Sequence, residues 1–147
     1  MNTVTRFTRQ LLWVVLSTVA VLLTGCADMM GGSGSIQVTL SGSQEVPPVT
    51  TAAAGSGTIT VNSDKLVTGN VTTSGLVGVA AHIHDGAPGK NGPVIVPLTK
   101  SSDNSWSVPA GAKFTDAQYE SYKAGNLYIN VHTAANKGGE IRGQLKP

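Results

Sequence analysis

From Ile36 to Leu145 the chain sets out apolar residues at alternate positions in short runs, divided by glycine, proline and asparagine. This is the pattern of strands that bury one face each. Ile36, Val38 and Leu40 alternate with Gln37 and Thr39, and a second run, Gly57 to Val61, turns at Asn62-Ser63-Asp64 into a third, Lys65 to Thr73. A fourth run spans Leu76 to His84. Strict alternation places Val77, Val79, Ala81 and Ile83 on its core face and Gly78, Ala80, His82 and His84 on the other. The segment Pro93 to Leu98 carries two prolines, which cannot donate to a ladder and so mark a sheet edge. Gln44-Glu45-Val46-Pro47-Pro48 reads as a loop or edge for the same reason. Towards the end, Leu127, Ile129 and Val131 form a core face with Tyr128, Asn130 and His132 opposite, and Glu140 to Leu145 closes the sheet with Ile141 and Leu145 inward.

One segment has another period. Thr115 and Gln118 make a capping box, Phe114 is placed to staple onto Tyr119, and Gly125 stops the helix after about two turns. The expected fold class is all-β, an antiparallel β-sandwich or Greek-key barrel with one short helix, in a single domain over residues 36–147.

The first 35 residues belong to another class. Arg6 and Arg9 precede a mostly apolar stretch from Leu11 to Leu23, the layout of a secretory signal peptide and too short to span a bilayer. The end of that stretch, Leu23-Thr24-Gly25-Cys26, resembles the bacterial lipobox, in which a lipid is attached to the cysteine and cleavage occurs just before it, and Cys26 is the sole cysteine. We therefore expect a signal peptide over 1–25, then lipidated Cys26 at the head of a Gly/Ser-rich tether ending at Ser35. The protein would sit in the bacterial cell envelope, anchored to a membrane and facing the periplasm or the exterior. Charge excludes one class of partner. Arg6 and Arg9 account for two of the ten Lys and Arg, which leaves eight against eight acids in the body of the chain. That balance offers no footprint for nucleic acid.

Candidate chemistry gathers in Ala81-His82-Ile83-His84-Asp85-Gly86. Histidines at i and i+2 on a strand point the same way, and imidazole is the commonest neutral metal ligand. Two such residues can hold a metal if a neighbouring strand supplies a third, and His132 is the one other histidine. Three nitrogens and a water suit copper(II) or zinc, and the divalent affinity series favours copper. Asp85 is a candidate oxygen ligand or imidazole partner, and Tyr128 and Asn130 are candidate hydrogen-bond partners on the face of His132. Nucleophilic catalysis lacks a Gly-x-Ser-x-Gly elbow, and the acids are too scattered to nominate a carboxylate pair. The plain alternative is that the histidines serve the fold by bonding loop carbonyls, with Glu140 and Arg142 pairing at a strand end.

Several segments together resemble the CHRD domain: Leu40 to Pro48, Ala81 to Gly86 with Asn91-Gly92-Pro93-Val94, Gly125 to Thr133, and Gly139 to Leu145. The resemblance implies a sandwich of immunoglobulin-like or superoxide-dismutase-like shape and sets His132 across from the histidine pair. A more distant likeness to copper/zinc superoxide dismutase lies in the His-x-His pair with a later histidine, and in the place of Arg142. This chain lacks the further histidine, the zinc loop and the cysteine pair of that enzyme. Three functions are therefore carried forward. The first is a copper or zinc site at His82, His84 and His132 for metal buffering, delivery or sensing. The second is a protein-interaction or envelope structural module with no metal, its histidines serving the fold; the partners expected for the chain are the membrane, through its lipid, and metal-handling or envelope proteins. The third is metal redox chemistry on a superoxide-like oxidant.

Overall fold

The computed structural model describes residues 34–147. The expected signal peptide, Cys26 and almost all of the expected tether fall outside the described residues. Nine strands form one antiparallel sheet: β1 (Gly34–Ser41), β2 (Ala54–Val61), β3 (Val67–Ser74), β4 (Gly78–Asp85), β5 (Val94–Pro97), β6 (Thr99–Ser102), β7 (Ser105–Ser107), β8 (Leu127–Thr133) and β9 (Ile141–Leu145). The order across the sheet is β5-β4-β8-β9-β1-β2-β3-β7-β6. It curls into a nearly closed barrel around one core. The inward residues of alternate positions fill that core, among them Leu40, Ile59, Val71, Ile83, Ile129, Val131, Ile141 and Leu145, with Trp106 closing it on the β7 side. The strands on either side of the barrel come from distant parts of the chain, since β1 pairs with both β2 and β9. Such non-local pairing draws the two ends of the domain together.

The single helix, α1 (Asp116–Lys123), starts as its sequence directs. Thr115 Oγ1 accepts from the Gln118 amide, and the Gln118 side chain accepts in return from the Thr115 amide. The aromatic contact differs from the staple expected. Phe114 packs on Tyr122 with ring centroids 6.3 Å apart, and Tyr119 also lies on Tyr122 at 6.0 Å. Tyr122 is the buried member of the helix, so both rings gather on it.

One core assignment is overturned. Val77 and Val79 are exposed, at 79% and 60%, while Gly78 faces inward and a Cβ there would stand 2.7 Å from Trp106. The cause is a β-bulge: Gly78 pairs with Thr133 and Ala80 with His132, so two steps along β4 meet one step along β8. The extra residue reverses the alternation before it. Beyond it Ala81 and Ile83 are buried and His82 and His84 share the other face, as alternation requires. Proline marks an edge at β5, which pairs only with β4.

The bulge separates two valine-type positions that look alike in sequence. Val79→Thr should change unfolding free energy by no more than about 0.5 kcal/mol, whereas Ile83→Ala, in the core of the same strand, should cost about 2–5 kcal/mol. Denaturant titration of the two variants measures both, and a large cost at Val79 would contradict the exposed orientation.

Candidate metal centre

The register of β4, β8 and β9 lays out the outer face of the sheet. Opposite partners run His82, Asn130, Arg142 in one row and His84, Tyr128, Gln144 in the next. His132 stands opposite Ala80. That alanine leaves room for the His132 ring to lean along the diagonal towards His82, a distance that long or aromatic side chains bridge. The ring centroids of His82 and His132 are 4.8 Å apart, those of His82 and His84 5.6 Å, and those of His84 and His132 6.1 Å. One nitrogen from each of the three lies within 4.8 Å of the others, so the trio could hold a metal ion.

The hydrogen bonds fix which nitrogens are free. His84 Nδ1 is 2.9 Å from the Gly92 carbonyl and His132 Nδ1 is 2.9 Å from the Lys137 carbonyl. A carbonyl only accepts, so each Nδ1 carries the proton and each Nε2 keeps a lone pair. His132 Nε2 lies 2.9 Å from His82 Nδ1, and with the first nitrogen committed as acceptor, His82 donates. His84 Nε2 is buried and has no partner. An imidazole whose Nδ1–H is tied to a carbonyl while its other nitrogen stays bare has the arrangement that orients metal-ligating histidines. Burial holds all three imidazoles below the ordinary histidine range, with neighbouring imidazoles adding to the effect at His82 and His132. Neutral rings are the ligating form.

Two surface turns supply those carbonyls. The first, Gly86 to Gly92 between β4 and β5, folds so tightly that a Cβ on Gly92 would lie 1.6 Å from the Asp85 carbonyl oxygen. Only glycine fits there. The second, Ala134 to Gly139 between β8 and β9, is closed by Gly139 at φ 137°. A Cβ at Gly139 would also collide with Glu45 Oε1 and Asn130 Nδ2, at 2.3 and 2.6 Å.

Tyr128 stacks on His84 with centroids 4.8 Å apart and planes within 8°, and its hydroxyl accepts from the Gly92 amide at 3.2 Å. On its other side the Arg142 guanidinium carbon lies 3.4 Å from the ring centroid. Asn130 donates to the Gly138 carbonyl at 3.2 Å, and its Oδ1 is buried without a partner. Asp85 shares the face of Ile83, directed away from the imidazoles by the same alternation that unites them. Its carboxylate is not part of the ligand group.

Two buried residues of this layer carry no signal in the apolar pattern. Arg142, 1% exposed, does not pair with Glu140. Its guanidinium donates to the carbonyls of Lys90 and Ala87, to Asn91 Oδ1 and to Gln144 Oε1, while Glu140 accepts from the Thr133 hydroxyl and the Asn136 amide group. The expected strand-end ion pair fails because the first turn offers Arg142 several carbonyls at closer reach. Glu45, 4% exposed, is covered by the loop that its neighbouring prolines shape. Burial pushes its carboxyl up to about 7 against the opposing charge of Arg142. Position 45 lies in a proline-rich segment with loop character, and a loop glutamate is ordinarily exposed.

Arg142→Lys keeps the charge but loses the planar fork. It should free the 86–92 turn, so that trypsin cleaves after Lys90 several-fold faster than in the wild type. An unchanged cleavage rate would show that the turn holds itself.

A family model, that of the CHRD domain, matches residues 36–145. A search of curated proteins found no match, and a search of solved structures found none.

Proposed function

The chain belongs to the CHRD domain family, and from that premise we propose that it binds one copper(II) ion through His82, His84 and His132. The observation that carries the reading is the bare, buried Nε2 of His84 beside a second imidazole held in the same tautomer. A buried nitrogen lone pair without a donor is costly unless a ligand uses it. Ligand nitrogens with bonds of roughly 2.0–2.1 Å to one ion are about 2.9 Å apart at the right angles that copper(II) prefers and about 3.3 Å apart in a tetrahedron. The present spread, within 4.8 Å, closes by small movements of all three rings, of which His82 is the freest because it is half-buried and not tied to a carbonyl. Three neutral nitrogens with water completing the shell favour copper(II) over zinc in the divalent series.

The role that fits is buffering, delivery or sensing of metal at the cell envelope. Lipidated Cys26 would fix the chain to a membrane, and the Gly/Ser-rich stretch after it would hold the domain clear of the surface. The partners of such a protein would be other metal-handling or envelope proteins.

Copper(II) titration of the purified full chain, with metal content measured after gel filtration, is expected to give one ion per chain. His82→Ala and His132→Ala should each weaken uptake at least tenfold. Equal uptake by wild type and variants would remove the metal reading and leave the imidazoles as bonding partners of loop carbonyls. Cys26→Ser should release the protein from the membrane fraction, and continued retention would rule out the lipid anchor.

A further inference from the structure

Beneath the loop that follows β1, a buried carboxyl and an amide continue the polar layer next to His84, and neither belongs to the ligand set. We propose that protonation of Glu45 is linked to cation binding at the three-histidine centre: its buried carboxyl, which has an unpartnered oxygen, carries a proton in a large share of the metal-free molecules and releases it to solvent when a cation binds. The proposal rests on the metal reading and adds to it a residue outside the ligands.

Three buried atoms in this layer have no hydrogen-bond partner: Glu45 Oε1, Asn130 Oδ1 and His84 Nε2. Asn130 is the middle member. Its side chain lies against Glu45 over Gly139, and it favours both the ionised form of Glu45 and the charged form of His84. Charge placed at the imidazoles is therefore felt at the carboxyl through one intervening amide. Glu45 is not among the groups that converge on the metal position, so it acts as a counter-charge and not as a ligand.

The groups around the carboxyl explain why it keeps its proton. From β9 Arg142 attracts the anion, but its guanidinium bonds are spent on Ala87, Lys90, Asn91 and Gln144, and it forms no ion pair with Glu45. Glu140, at the head of the same strand, repels the anion. From β8 come the neutral Asn130 and, beyond it on β4, the neutral His84. The Val46 amide assists the anion. Lys137 lines the cleft on one side of Glu45 and Lys146 the cleft on the other. Desolvation prevails over these attractions. A divalent ion at the imidazoles adds two positive charges to this low-dielectric layer and reverses the balance. The acid O–H bond then breaks, and the carboxylate remains to offset the cation. The proton leaves for solvent through the two flanking clefts, of about 280 and 400 Å³, both lined by Glu45.

Calorimetric titration with copper(II) in two buffers of different ionisation enthalpy counts the protons released. Against Glu45→Gln, the wild type should release about half a proton more at about pH 7, and no more at about pH 8.5, as a carboxyl of pKa about 7 requires. Infrared difference spectra provide a readout that does not depend on a variant. The metal-free wild type should show a protonated-carboxyl band at about pH 6 that Glu45→Gln lacks, and copper should abolish it. If the band is missing in the metal-free protein, or survives copper binding with equal proton release by both proteins, the inference falls while the metal site stands. If copper does not bind, both fall.

Discussion

The outer layer of this domain depends on one buried cation. Arg142 forms no ion pair among the described residues. It is held by the face of Tyr128 and by oxygens from one turn. A desolvated guanidinium over an aromatic face is worth about 2 kcal/mol, and its planar fork suits several oxygens at once. Each bond fixes something further on. Tyr128 is stacked on His84 and accepts from Gly92, whose carbonyl in turn holds His84 Nδ1. Asn91, held by Arg142, donates to the Val46 carbonyl at 2.8 Å and so ties down the loop above Glu45. One side chain thus sets the tautomer of an imidazole and the burial of a carboxyl.

The same sheet is used twice. On its inner face, residues such as Ile83, Ile129 and Ile141 make an ordinary apolar core. On its outer face, the alternate residues of β4, β8 and β9 form a polar layer roofed by turns. Polar atoms in such a layer must be satisfied or they destabilise the fold. Most are satisfied. Gln144, for instance, donates to the carbonyls of Gly86 and Gly125. The buried atoms left over in this layer belong to Glu45, His84 and Asn130, together with the Thr73 hydroxyl and Trp106 nitrogen elsewhere in the barrel. Three of these orphans lie in one place, in the layer that holds the histidine trio.

Much of the fold could be read from alternation and turn chemistry. The capping box of α1, the proline-marked edge at β5 and the shared face of His82 and His84 each depend on residues close in sequence. The rest is set by partners that are distant in sequence. The reversal at Val77 and Val79 comes from a bulge defined by β8, and no property of the valines announces it. The β6–β7 hairpin is hard to see because Thr99 to Ser105 is polar throughout, and only Trp106 is buried in it. His132 reaches His82 because of the pairing Ala80 with His132, a matter of register that neither strand encodes alone. Arg142 and Glu45 are charged residues whose burial is imposed by turns and loops from elsewhere, whereas the position of Asp85 follows from alternation applied one residue further.

The two carbonyls that orient His84 and His132 come from separate surface turns, one on each side of the trio. The strands hold the rings in place, but the turns decide which nitrogen each ring offers. Turns are where chains most readily accept insertions and exchange residues, so this centre is tuned from its most changeable parts. A descendant could keep every histidine and the whole barrel, lengthen either turn by a residue, and lose the alignment that makes the rings a site. Retention of the three histidines is therefore a weaker guide to shared chemistry in this fold than retention of Gly92 and of the turn that ends at Gly139.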